Sequence, residues 1–207
     1  MKRLTRKVAA RPLVALLLAI PLILTGCAPN RPTQFYTLSA TAPAANETLQ
    51  LTEKPLVVGV GPVALPPYLD RPQLVTRIGA NKMMLADFDQ WAEPLDGALP
   101  RTLGENPSRQ LATEEVFVLP TTRNVRLDYR VEVDVAQFDT NGAGEVVVDA
   151  RWWVFRRGDK LVQSGRSTIE ESAGQSTDRQ GVVAALSQGL GQLSNDIAAA
   201  ILLHARG

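Results

Sequence analysis

One cysteine and one histidine are all that this chain of 207 residues holds of the side chains most used for metal and redox chemistry. The single cysteine excludes an intrachain disulfide, so a fold must be held by its core. The single histidine, His204, stands near the C-terminus without a second histidine or a cysteine beside it, and a frayed surface position is expected. No G-x-S-x-G nucleophile elbow is present, and no other constellation supports an enzyme. Internal repeats and low-complexity tracts are missing too. The one long apolar run, Leu13 to Leu24, has twelve residues interrupted only by Pro21, short of the about 20 needed to cross a bilayer.

That run explains the lone cysteine. Lys2, Arg3, Arg6, Lys7 and Arg11 precede it with no acid among them, the basic flank of a secretory signal. Directly after it, Leu24-Thr25-Gly26-Cys27 resembles the bacterial lipobox. There a diacylglycerol is attached to the cysteine sulfur, the signal is cut before that cysteine, and the new amine takes an N-acyl chain such as palmitate. Residues 1–26 are therefore read as a lipoprotein signal peptide and Cys27 as the lipidation site, with these covalent chains in place of any cofactor. At about 0.8 kcal/mol per buried methylene, three acyl chains hold a protein on a membrane essentially permanently. In that class an aspartate after the cysteine retains the protein at the inner membrane. Here Ala28 follows, so the periplasmic face of the outer membrane is the expected address.

Cleavage would leave 181 residues, enough for one well-cored domain. Five of the 22 basic residues go with the signal, leaving 17 against 21 acids, a formal net charge of −4. Such a domain has no electrostatic case for nucleic acid or for anionic lipid headgroups. Residues 27–34 read as a lipidated tether whose eight steps to Phe35 span at most about 28 Å, and residues 35–207 as a single domain. Residues 40–54 have the composition of a surface connection.

Within the domain, residues 35–39, 55–66, 74–79 and 82–89 read as short strands, the last two separated by Gly79 to Asn81. Val125, Leu127, Tyr129, Val131, Val133 and Val135 alternate with charged residues, the pattern of a half-buried antiparallel strand. Two further strands return through turns at 138–145 and 157–160, making a meander. Val182, Leu186, Leu190, Leu193, Ile197 and Ile201 form one stripe of a C-terminal helix of about 25 residues, with Thr177 and Gln180 as its capping box. Gly189 and Gly191 in that helix are consistent with close approach to a sheet or a partner, or with a kink. Leu95, Leu99, Leu103 and Leu111 suggest a second helix near 94–113, which Pro100 and Pro107 should shorten or break. The expected fold class is α+β: a mainly antiparallel sheet, mixed near its N-terminal strands, covered by a long C-terminal amphipathic helix and a shorter one.

Several fragments imitate chemical motifs. Gly59 and Gly61 fit a dinucleotide fingerprint, but Pro62, Pro66 and Pro67 deny it the helix that would cradle a phosphate. Asp87 and Asp89 on one strand face, with Glu93 and Asp96, form an acidic edge sooner than a metal site. Asp139 to Glu145 resembles a calcium loop whose twelfth position is Ala150 where a glutamate is needed. Arg157-Gly158-Asp159 is turn chemistry. Trp152 and Trp153 point to opposite faces of their strand, which suits either a strand covered on both sides or a partner surface.

Residues 66–77, containing Tyr68-Leu69-Asp70-Arg71-Pro72, followed by Trp91-Ala92-Glu93-Pro94, together with the strand just behind Cys27, resemble the PqiC family, auxiliary lipoproteins of ABC-type transport systems. The resemblance implies a non-enzymatic role at the outer membrane. The partners it implies are a periplasmic MCE-domain protein and its inner-membrane complex, in lipid transport between two membranes; self-association as a homo-oligomer is left open. Tyr68, Leu69, Asp70, Arg71, Pro72, Trp91 and Glu93, with Trp153 as a further partner-facing residue, are candidates for a docking surface or, equally, for a structural corner that satisfies buried polar groups. A cell-wall or envelope-assembly cofactor that positions a periplasmic enzyme is the alternative, and direct carriage of lipid in an apolar cavity a third.

The anchor is testable by itself. Cys27→Ser protein is expected in the soluble envelope fraction, whereas a variant that still fractionates with outer membrane in the absence of partners would refute lipidation as the anchor.

Overall fold

In a computed structural model the described residues are 31–41, 55–111, 113–121, 124–175 and 177–205. The expected signal, Cys27 and most of the 40–54 connection lie outside them. Among these residues eight strands and two α-helices follow one another: β1 (Gln34–Tyr36), β2 (Val58–Ala64), β3 (Gln73–Gly79), β4 (Lys82–Trp91), α1 (Leu95–Gln110), β5 (Val116–Val118), β6 (Tyr129–Asn141), β7 (Glu145–Arg156), β8 (Lys160–Ser172) and α2 (Arg179–Ala205). This is the expected α+β class, with one mixed sheet of eight strands.

The alternating stretch becomes β6, but it begins at Tyr129 rather than Val125 and continues to Asn141. One side of β6 pairs antiparallel with β7, which pairs with β8, giving the meander. The other side is shared: β2 lies parallel beside Tyr129–Asp134, and β3 lies parallel beside Thr140 and Asn141. Beyond β2 comes β5, and beyond β3 come β4 and then β1. The sheet therefore forks along β6, and the chain crosses the fork through residues 65–72.

Alternation aims Val131, Val133 and Val135 of β6 and Val146, Val148, Ala150, Trp152 and Val154 of β7 into the core. There α2 covers β7 and β8, α1 covers β2 and β5, and the two helices touch. The six stripe residues of α2 are 0–3% exposed. The helix start differs from the capping-box expectation: Asp178 is the cap, its Oδ1 accepting from Gly181 N at 3.0 Å. His204 is not frayed but lies in the last turn of α2, half-buried, with Nε2 3.2 Å from Gln163 Oε1.

Pro100 and Pro107 do not break α1 either; both lie inside a continuous helix of 16 residues. An interior proline costs about 3 kcal/mol through its lost N–H and the clash with the preceding turn. Both rings are buried on the inward side with Leu99 and Leu103, and this packing offsets the cost. Gly189 of α2 resolves in favour of close approach, since a Cβ there would stand 2.7 Å from Val148 Cγ2.

Gly189→Ala should thus destabilise the domain by about 1–3 kcal/mol through overpacking, despite alanine's better helix propensity. Gly97→Ala in α1, where nothing lies within 4 Å of the added carbon, should stabilise by roughly 0.5–1 kcal/mol. Urea denaturation of the two variants checks the contrast.

Candidate functional site

Between Asp134 and Thr140 neither β2 nor β3 reaches β6, and a bulge interrupts its pairing with β7 between Val135 and Gln137. Backbone groups in such a gap need other partners. Tyr68, from the crossing segment, provides one: its hydroxyl accepts from Phe138 N at 3.4 Å and donates to Asp139 Oδ2 at 2.8 Å. Arg77 of β3 donates through Nη2 to the same oxygen at 2.8 Å, and Gln137 Nε2 donates to Oδ1 at 2.8 Å. The Arg77 guanidinium also lies 5.6 Å from the Tyr68 ring centre. Burial first, and then the Asp139 charge, push the Tyr68 hydroxyl up to about 12.

Tyr68 is therefore a corner residue, and its neighbours do something different. The short 3-10 turn Pro67–Leu69 turns Leu69 into the core at 3% exposure and leaves Asp70 outside. Trp91 N donates to Pro72 O at 2.7 Å, which ties the crossing segment to the end of β4. Between them opens a cleft of about 550 Å³ whose walls include Leu69, Asp70, Arg71, Pro72, Trp91 and Glu93. Six of the candidate residues thus converge on one site. Trp91, 7% exposed with its ring centre 6.5 Å from that of Phe138, backs the cleft.

The charges of the cleft are unevenly matched. Glu93 is paired with Arg101 of α1. Arg71 has no ion pair among the described residues, and its buried Nε has no hydrogen-bond partner. Asp70 and Asp96 also line the cleft, and neither has an ion partner among the described residues. An apolar pocket edged by an uncommitted guanidinium and two free carboxylates can take up an apolar side chain flanked by charged groups.

Trp153 is elsewhere. It lies on the outer face of β7, opposite Glu132 and Ser164, half-buried. Phe155 on that face has the Arg130 guanidinium 4.4 Å from its ring centre. Trp152 faces the core, with Nε1 donating to Ser167 Oγ at 3.1 Å. Among the described residues no helix packs on this outer face as α1 and α2 do on the inner one.

The motif imitations resolve as structure. A Cβ on Gly61, whose φ is +134°, would stand 2.7 Å from Leu119 O, so the glycine admits a neighbouring backbone, not a phosphate. Asp89 is buried and accepts from Tyr36 Oη at 3.1 Å while Asp87 is exposed, because the β3–β4 pairing is interrupted between Leu85 and Gln90. No cluster fit for a metal occurs among the described residues. Asn141 Oδ1 accepts from Ala143 N and Glu145 N, each at 2.9 Å, making the supposed calcium loop a hairpin turn. Asp139 and Arg77 escaped the sequence reading. The only available signal was the loss of alternation at Ala136, which places Asp139 at a break in the pattern.

A family model described as ABC-type transport auxiliary lipoprotein component matches residues 36–198. Among solved structures, an uncharacterized protein is similar at 24% identity and a TM-score of 0.66, over 83% of this chain and 99% of the other. A protein from Xanthomonas campestris is similar at 18% identity and a TM-score of 0.67, over 84% and 97%. These two likenesses carry the fold. No curated protein matches.

The corner can be tested apart from the cleft. Tyr68→Phe leaves the Phe138 N–H and one bond of Asp139 unmet, at about 1–3 kcal/mol. The tyrosine hydroxyl titrates at 10.0 in the unfolded chain and near 12 in the fold. Its contribution is complete below pH 10 and declines as pH rises toward 12, because only the unfolded state has lost the proton. Urea titrations should therefore find the gap between parent and variant narrowing over that alkaline window.

Proposed function

This chain belongs to the ABC-type transport auxiliary lipoprotein family, and on that premise we propose that it is a non-enzymatic docking component, held at the periplasmic face of the outer membrane by lipid on Cys27. Its partner is the periplasmic MCE-domain protein of an intermembrane lipid transport system, which works with an inner-membrane complex. The family gives the coarse part of this reading, a membrane-anchored auxiliary of transport in the cell envelope. Ala28 supports the outer membrane, and the similarity of residues 66–77 and 91–94 to the PqiC family supports the MCE partner.

The observation that carries the docking role is the cleft beside the fork. Leu69, Pro72 and Trp91 give it an apolar lining, and Arg71 brings a charge that the domain itself leaves unmatched. A guanidinium nitrogen buried without an acceptor, as Arg71 Nε is, is costly in an isolated domain and becomes an asset when another chain supplies the acceptor. Tryptophan and arginine are also the side chains that carry most binding energy at protein interfaces. Tyr68 serves this site indirectly, by pinning the segment that displays Leu69 to Pro72.

Arg71→Glu is expected to fold with unchanged helix content and to recover its MCE partner at least tenfold less well, about 1.4 kcal/mol, in a pull-down from envelope extracts. Arg151→Glu, on the outer face of β7, should recover it normally. A stable Arg71→Glu protein that binds as well as the parent would remove the cleft from the docking role.

A further inference from the structure

Exposed apolar side chains are unevenly distributed over the domain. Of the eight large ones among the described residues, Phe35, Ile78, Met84, Leu85 and Phe88 all belong to the adjoining strands β1, β3 and β4. Phe35 is 63% exposed. Among the described residues the edge of β4 is open as well, because β1 pairs with it only at Asp89–Trp91 and no other strand there pairs with Lys82–Phe88 on that side. Apolar surface gathered in this way marks a contact site.

The direction of β1 indicates what covers it. β1 is parallel to β4, with Gln34 opposite Asp89 and Tyr36 opposite Trp91. Followed backwards from Gln34, the chain leaves the sheet toward Phe88 and the turn that joins β3 to β4. Cys27 lies seven residues before Gln34 and can be no farther from it than about 25 Å. An anchor at Cys27 is thus tethered to the strand that borders the apolar edge, and the free part of that edge runs to the β3–β4 turn at one end of the sheet. The opposite end holds the β7–β8 turn: β3 runs parallel to β6 at Thr76–Arg77, so the start of β6 points away, and Tyr129 there pairs with Arg156 beside that turn.

We infer that the β1–β4–β3 edge is a membrane-contact surface, with Phe35, Met84, Leu85 and Phe88 resting in the interfacial layer of the bilayer that holds the anchor. This rests on the lipidation of Cys27. A second copy of the chain could also pair along a free strand edge, but the anchor favours the lipid. Once the domain is tethered, contact with the bilayer is effectively intramolecular, so a few apolar side chains suffice without strong affinity of their own.

The test uses the full acylated protein in vesicles of phosphatidylethanolamine and phosphatidylglycerol carrying doxyl-labelled acyl chains. Because the native Cys27 is acylated, an introduced cysteine is the only reactive thiol. An environment-sensitive fluorophore is placed at Phe88→Cys, at Met84→Cys and, as the far-end reference, at Leu161→Cys, with folding checked by circular dichroism. The expected result is co-flotation of all three, with a blue shift and loss of emission by doxyl quenching at 84 and 88 and neither at 161. Unquenched, water-exposed labels at all three positions on floating protein overturn the contact and leave the anchor intact. Labels at 84 and 88 that are shielded yet unquenched also overturn it, because a second copy or another protein then covers the edge. Protein that fails to float overturns the anchor and the contact together.

Discussion

The carboxylate of Asp139 is 1% exposed, and much of the domain's form follows from how that buried charge is met. A carboxylate taken out of water costs several kcal/mol unless cations and donors replace its hydration. Here the replacements come from three places in the sequence: Arg77 on β3, Tyr68 on the crossing segment and Gln137 on β6 itself. By collecting them, Asp139 binds the two branches of the sheet to the one strand they share. The cleft lies beside this joint, and its walls keep their shape because the joint does. Tyr68 and Arg71, three residues apart, thereby divide the labour, one satisfying the interior and the other left facing a partner.

The parts of the structure governed by short-range periodicity were legible in the sequence. The α2 stripe from Val182 to Ile201 is legible residue by residue, and the meander is legible in its strand order though not in its bounds, because one face of each element is buried and the other is not. What escaped was set by distant contacts. β6 starts at Tyr129 because β2 begins and β7 ends beside it there, although the alternation starts at Val125. Pro100 and Pro107 stay helical because packing outweighs a local rule. Asp178 took the cap from Thr177 through a shift of one residue that composition does not decide.

The site followed the same division. Motif resemblance gathered Leu69 to Pro72 with Trp91 and Glu93, and the fold brings them around one cleft. It could not separate Tyr68 from them, since the partner that gives Tyr68 its role is 71 residues away. Nor could it separate Trp153, whose placement on the outer face depends on where the helices dock.

The fork along β6 has a consequence for the order in which the molecule is made. A chain emerges N-terminus first, so β2, the crossing segment, β3 and β4 are all released before the strand that is their common template. Until β6 appears, Tyr68 and Arg77 have no carboxylate to meet and the two branches have nothing to flank. Long-range pairing of this kind makes folding slow relative to local helix formation. The N-terminal strands are thus the earliest to arrive and among the last to settle, and during that interval they stand open to whatever else surrounds the chain.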